Sequence, residues 1–213
     1  VMGDGDCTSI GAGHWLHALR YNMDLTVLML DNGIYGLTKN QTSPTTPQGF
    51  KSNTQPQGSF LPPMNPIEIA LGVTNASFVA QTAEWAPAHM YATLQAAYKH
   101  KGFSFVRILQ RCPVFTPLIF QKAVKDPARI QLLVHDEGVV APELDKIYAR
   151  KVQHDPLDLA AARSMAEQTE FINLGLFFKD PSRPRYEDTR RVPPKTAAER
   201  VQLLEKEFAR YAV

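Results

Sequence analysis

Gly3-Asp4-Gly5-Asp6 and Asp31-Asn32-Gly33 decide the reading of this chain, with 26 residues between Gly5 and Asn32. Each motif follows an apolar stretch. Val1-Met2 runs straight into the first, and Leu25-Thr26-Val27-Leu28-Met29-Leu30 runs into the second without a break, the pattern of a parallel strand covered on both faces. Between them, Thr8 to Tyr21 places Ile10, Trp15, Leu16 and Leu19 near helical spacing, with Thr8 or Ser9 as candidate N-caps. Strand, turn, helix and strand put both motifs at the carboxyl edge of one sheet, where doubly wound folds bind ligands. Either motif alone is ordinary turn punctuation. Together, at matched strand ends, they form two halves of one site.

That site has a definite chemistry. Glycines let the backbone approach a ligand, and the start of the following helix offers N–H groups and a positive dipole end to an anion such as a diphosphate. Asp4 and Asn32 add a carboxylate and an amide oxygen, hard donors suited to a Mg²⁺ ion that also grips phosphate oxygens.

Working outward, Phe78-Val79-Ala80 and Phe103 to Leu109 read as further strands, and Ala86 to His100 as a helix closed by Gly102. The alternation indicates an α/β layer with a mostly parallel sheet. Ser43 to Pro66 holds six of the chain's sixteen prolines, a long stretch without periodicity. Residues 1–117 carry 7 basic and 6 acidic side chains and residues 118–213 carry 16 and 15, which separates a buried first part from a solvated second one. In the second part, Pro156 to Thr169 reads as an amphipathic helix, Gly175 to Phe178 as a short apolar stretch and Pro181 to Pro194 as an extended loop. Lys195 to Tyr211 aligns Val201, Leu204, Phe208 and Tyr211 on one helical stripe, expected to wrap or dock.

Composition narrows the class. The 213 residues are 44% hydrophobic, enough for a folded core, and a net charge of +2 is too balanced for a protein working by attraction to nucleic-acid phosphates. No apolar run reaches the roughly 18 residues of a membrane span, and the opening residues do not read as a basic-then-apolar leader, so none is expected. A cytoplasmic protein engaging neither nucleic acid nor membrane is expected. Two cysteines, Cys7 and Cys112, cannot build a disulfide framework or a four-ligand metal site. The six histidines lack ligand-like spacing and read as structural.

The fuller run from Gly3 to His14, then Asp31-Asn32-Gly33-Ile34-Tyr35-Gly36-Leu37-Thr38-Lys39 through Ser43 to Pro47, resembles the β subunit of 2-oxoacid:ferredoxin oxidoreductases. The similarity continues through Pro63 to Ala70 and His100 to Phe103, covering about residues 1–117 with a weaker echo near Gly175. Departures are Asn40 where glycine is usual, Tyr21 where arginine is usual, and Cys7 where a small residue is usual.

The resemblance implies a parallel-sheet, Rossmann-like three-layer fold binding thiamine diphosphate over 1–117, with an irregular and helical extension over 118–213. It implies Mg²⁺ held by the side chains of Asp4 and Asn32 and the carbonyl of Ile34, with Gly3, Gly5, Asp6, Gly36, Leu37 and Thr38 at the cofactor. Lys39, in a loop poor in cations, is expected to pair with a distal substrate carboxylate, which favours 2-oxoglutarate over pyruvate; Thr38, Gln41, Ser43 and Thr45 would close over the site. Cys112 matches the fourth ligand of a [4Fe-4S] cluster whose other three cysteines would lie upstream, so the chain is expected to begin inside a longer subunit. No catalytic side chain is expected here, because the activating glutamate would come from an α subunit. The implied enzyme, a heterodimer or dimer of heterodimers, converts 2-oxoglutarate and coenzyme A to succinyl-coenzyme A and carbon dioxide while reducing ferredoxin. A pyruvate or broad 2-oxoacid enzyme, a non-redox thiamine enzyme and a non-catalytic assembly module are the alternatives.

Overall fold

Two apolar strands flanking a helix already require a parallel pair, and the chain extends that pair into one sheet. A computed structural model describes residues 1–136, 138–139, 141–190 and 195–211. The strands β1 (Met2–Gly3), β2 (Thr26–Asp31), β3 (Phe78–Ala83), β4 (Ser104–Leu109), β5 (Ile130–Val134), β6 (Lys151–Gln153) and β7 (Ile172–Lys179) lie in the order β1-β2-β4-β3-β7-β5-β6. Every pairing is parallel except that of β3 with β7. Four strands therefore point one way and three the other, and the carboxyl ends of β1–β4 share an edge with the amino ends of β5–β7.

Helices cover both faces, giving three layers. On one face α1 (Ala12–Tyr21), α2 (Pro66–Gly72) and α5 (Leu159–Glu167) bury Trp15, Leu19, Ile67, Leu71 and Ala162 against Val79, Phe105 and Phe177. On the other, α3 (Pro87–Lys99) packs Leu94 and Ala97 against Phe78, Val106 and Ile108. Phe105 and Val106 point opposite ways because side chains alternate along a strand, so one short apolar run serves two cores. Short helices α4 (Gln121–Lys125) and α6 (Tyr186–Thr189) sit in the connections, and α7 (Ala197–Tyr211) closes the described chain.

The elements expected in the first part are present with shifted ends, and two expectations change. Thr8 and Ser9 do not cap a helix: the chain turns π-helical over Asp6–Ile10 directly after Gly5, and α1 starts at Ala12. The Thr8 hydroxyl instead donates to the Asp4 carbonyl at 2.6 Å. Gly175 to Phe178 is no isolated apolar patch but the middle of β7, central in the sheet. Gly175 is required there, since its φ is +144° and a Cβ would stand 2.7 Å from the Cβ of Leu133 on β5. In α5 the cap is Asp158, whose carboxylate accepts from Ala160 and Ala161. The stripe on α7 is exposed, Phe208 at 73%, and residues 191–194 of the expected loop lie outside the described residues.

His89 and His100 are buried structural residues. His89 Nδ1 meets the Thr82 hydroxyl at 2.8 Å and His100 Nε2 meets that of Ser77 at 2.8 Å, beside the Phe78 ring. Burial holds each near a pKa of about 4, below the ordinary 6.5. Folding thus sheds protons that the unfolded chain takes up between pH 6.5 and about 4, so acid weakens the fold through that window. Relative to His89→Gln and His100→Gln proteins, wild type should lose about 1 kcal/mol per pH unit and site as pH falls from 6.5 towards 4. Urea unfolding at successive pH values measures this, and parallel curves for wild type and variants would show that neither ring is buried neutral.

Candidate functional site

The carboxyl ends of β1 and β2 converge as their motifs require. Asp4 and Asp31 are each 1% exposed, two carboxylates buried at neighbouring strand ends. Asp4 Oδ2 accepts from Thr45 Oγ1 at 2.7 Å and from Ser43 Oγ, while Asp4 Oδ1 receives the Asn32 N–H at 3.4 Å. Asp31 Oδ1 accepts from the same Thr45 hydroxyl at 2.9 Å and from Gly33 N at 3.2 Å. Its other oxygen receives Arg107 Nε at 2.7 Å, with an Arg107 terminal nitrogen at 2.5 Å.

The Thr45 hydroxyl has a single hydrogen to share between two carboxylates, which does not neutralise their charge. The pair therefore leaves Asp4 in want of a positive charge, proton or metal ion. Burial first, and then the negative charge of Asp31, push its pKa up to about 6. The Asn32 side-chain oxygen accepts from Ile34 N at 3.2 Å, in a turn whose Asn32 N–H meets Asp4. Carboxylate, amide oxygen and backbone carbonyl from Asp4, Asn32 and Ile34 are the donor chemistry of a hard divalent cation, so the residues fit Mg²⁺. Among the described residues no group of three or more His, Cys, Asp or Glu could hold a metal ion, so any such site draws on amide and carbonyl oxygens.

The other expected residues fall in two groups. Gly3 donates to Asp6 Oδ2 at 3.3 Å, and no side chain caps the π-helical turn that starts at Asp6. At Gly5 a Cβ would meet the Tyr35 ring at 2.2 Å, and Tyr35 OH donates to the Gly5 carbonyl at 2.8 Å. Gly36, Leu37, Thr38 and Lys39 form the tip of a tight loop closed by Tyr35 N to Gln41 O at 2.9 Å. Leu37 is 98% exposed, Lys39 is exposed, and Asn53 Nδ2 holds the Lys39 carbonyl at 2.6 Å. Lys39 and Asn40 have φ of +70° and +73°, so Asn40 keeps the left-handed backbone that glycine would supply.

Cys112 follows β4 in a turn where Phe115 N donates to its Sγ at 3.4 Å. Burial opposes ionisation, but hydrogen bonds from the Phe115, Val114 and Thr116 backbone outweigh it and hold the thiol below its ordinary value. The same turn reaches the second motif, because Thr116 Oγ1 donates to the Asn32 carbonyl at 2.9 Å. Cys7 differs: burial, then the charges of Asp4, Asp31 and Asp6, push its thiol up to about 12. Arg107, Tyr35 and Thr116 went unread from sequence. Arg107 alone left a signal, a lone charge inside an apolar strand.

The profile of the thiamine pyrophosphate enzymes' C-terminal TPP binding domain matches residues 1–108. The chain belongs to that family. Within this TPP-binding family, the chain is 42% identical over 142 residues to the 2-oxoglutarate oxidoreductase subunit KorB of Mycobacterium tuberculosis, 66% of this chain and 38% of that one. It is 32% identical over 186 residues to the 2-oxoacid:ferredoxin oxidoreductase subunit beta of a Sulfolobus species, 87% of this chain and 58% of the relative. The match thus spans roughly two fifths to three fifths of these relatives' length. A solved 2-oxoglutarate:ferredoxin oxidoreductase from Magnetococcus marinus, with 2-oxoglutarate, coenzyme A and succinyl-CoA bound, superposes with a TM-score of 0.74 at 30% identity, covering 95% of this chain and 65% of that one. All three are named as oxidoreductases or their subunits, the Sulfolobus one as a β subunit.

Removing the charge at Asp4 separates its binding role from its cost to the fold. Asp4→Asn should leave the cofactor-free protein at least as heat-stable as wild type at pH 8, because it relieves a buried like-charge pair. The same variant should lose the rise in Tm that Mg²⁺ with thiamine diphosphate gives wild type. Equal rises in both proteins would take Asp4 out of the cation site.

Proposed function

We propose that this chain is the thiamine-diphosphate-holding part of the β subunit of a 2-oxoglutarate:ferredoxin oxidoreductase. The observation that carries the reading is the meeting of Asp4 and Asn32 at adjoining strand ends, with the Asp4 carboxylate buried beside that of Asp31. In this reading residues 1–117 hold the cofactor, and 118–213 form an extension that adds β5, β6 and β7 to the sheet and whose exposed α7 stripe docks in the assembly. Asp4, Asn32 and the Ile34 carbonyl hold Mg²⁺, while Gly3, Gly5 and Asp6 face the diphosphate. Gly36, Leu37 and Thr38 border the cofactor's reactive end. Thiamine diphosphate, when bound, supplies the nucleophile and electron sink for breaking the bond between the 2-oxo carbon and its carboxylate.

The protein's own share is to hold and orient. Ser43 and Thr45 fix the Asp4 carboxylate, the turn at Asn32 presents its amide oxygen, and Lys39 takes the distal carboxylate of the substrate. The activating glutamate and the remaining subunit contacts belong to an α subunit. Cys112 would supply one thiolate to a [4Fe-4S] cluster, whose chemistry would be one-electron transfer towards ferredoxin. This chain does not fit a whole cluster: the cluster needs four thiolates, and Cys7, the second of two cysteines, is buried beside Asp4 with its thiol held protonated. The net change is 2-oxoglutarate plus coenzyme A to succinyl-coenzyme A, carbon dioxide, a proton and two electrons for ferredoxin. The chain works in the cytoplasm; among the described residues no helix is long and apolar enough to cross a membrane.

The Sulfolobus relative, named for 2-oxoacids generally, favours a second reading in which the enzyme accepts pyruvate and other 2-oxoacids. Lys39→Ala in the assembled enzyme decides between them. Loss of one charge-assisted contact should lower kcat/KM for 2-oxoglutarate by about tenfold and leave pyruvate turnover unchanged; an equal effect on both substrates removes the Lys39 argument. Cys112→Ala in the same assembly should abolish the visible iron–sulfur absorbance while thiamine diphosphate still binds. An unaltered spectrum would take Cys112 out of the cluster.

A further inference from the structure

A polar ladder crosses the apolar sheet one residue per strand. It starts at Asp31 on β2 and passes to Arg107 on β4, whose Nη1 donates to Gln81 Oε1 on β3 at 3.1 Å. Gln81 Nε2 donates to the Asn173 carbonyl on β7 at 2.7 Å, and Gln131 Nε2 on β5 donates to Asn173 Oδ1 at 2.9 Å. Two of its steps are directly opposed residues, Gln81 with Arg107 and Gln131 with Asn173. Asn173 is fixed in turn by its Nδ2 donating to Met165 O at 2.8 Å. Gln81 and Asn173 are buried, and with Arg107 they border a cavity of about 230 Å³.

Burying Asp31, Gln81 and Asn173 beside the half-buried Arg107 and Gln131 is costly unless each is bonded, and here each is. The arrangement does more than satisfy itself. An arginine fork held by a carboxylate on one side and an amide on the other cannot turn about its long axis. Held so, it fixes Asp31, and Asp31 fixes the Thr45 hydroxyl that also touches Asp4. We propose that Arg107 is a positioning residue for the cation-binding carboxylate of Asp4, acting through Asp31 and Thr45, and that Gln81 and Asn173 keep Arg107 in place. This rests on the Mg²⁺ reading of Asp4. It also gives β5 and β7, two of the three strands of opposite direction, a task at a site to which they contribute no ligand.

The test is a coupling measurement in the assembled enzyme, with Mg²⁺ affinity read by calorimetry at saturating thiamine diphosphate and metal-free Tm read alongside. Thr45→Val keeps the shape and removes the hydroxyl; it should weaken Mg²⁺ binding about 10- to 100-fold, the usual size of an outer-sphere loss. Thr45→Ser should restore it to within about threefold, since it returns the hydroxyl. Arg107→Lys keeps the charge but not the fork and should weaken binding in the wild-type background. In the Thr45→Val background the same change should add less than about twofold, because the path is already cut. Effects that multiply, or Mg²⁺ affinity untouched by Thr45→Val, overturn the proposal and leave the Mg²⁺ site standing. A wild type that binds no Mg²⁺ with thiamine diphosphate overturns both.

Discussion

One hydroxyl between two buried carboxylates organises this molecule. Asp4 and Asp31 sit at the ends of adjacent strands because strand pairing, Gly3 opposite Leu30, brings the two turns level. Neither is exposed, and a single arginine answers their joint charge. Such a pair is unfavourable in isolation, since like charges in a poorly solvated site resist ionising together. It persists because surrounding groups over-determine it, and those groups draw in distant parts of the chain: Ser43 and Thr45 from the long loop, Arg107 from β4, Gln81 from β3 and Asn173 from β7.

The loop from Ser43 to Pro66 shows how a stretch without periodicity acquires one structure. Its order comes from short hydroxyl side chains standing in for a ladder. Ser43 N donates to Thr46 Oγ1 at 2.8 Å, and that hydroxyl donates to the Gly33 carbonyl at 2.7 Å. Further on, Gly49 N bonds Ser59 O at 2.7 Å and Ser59 N bonds Phe50 O at 2.9 Å, closing a compact excursion that returns the chain to α2. At α2 the Asn65 oxygen caps Ile67 N, with proline in the first turn. Prolines fix φ along the way and cut the number of unfolded conformations that folding must give up.

Legibility in the sequence followed the strength of local signals. β2 and β4 were readable because both faces are covered and their residues are almost all apolar. β3 was read only as far as Ala80, since Gln81 and Thr82 look like a strand end; they are interior because Arg107, Asn173 and His89 satisfy them. β5 and β6 are short, lie in the charge-rich part, pair with each other and join the rest of the sheet through β7, which carries a glycine in mid-strand. No window of sequence contains that information, as their pairing is set by contacts dozens of residues away. Of the site, Asp4, Asn32 and Asp31 stood out as matched turns. Arg107 and Thr116 could not, because their partners are 76 and 84 residues distant.

The reversal of direction between β3 and β7 has a consequence for the site's rigidity. Had the sheet stopped at β3, the amide of Gln81 would face solvent and its hold on Arg107 would compete with water. Adding β7 covers that edge and replaces water by the Asn173 carbonyl, a fixed acceptor. The bulge between Val79 and Ala80 accommodates the join just before Gln81, and Gly175 lets β5 close against β7. Strength therefore enters the cofactor edge from the amino ends of strands that lie beyond it. A sheet of four parallel strands could have presented the same ligands, but only with its last polar rung open to solvent, and an open rung is where an orienting network first loosens.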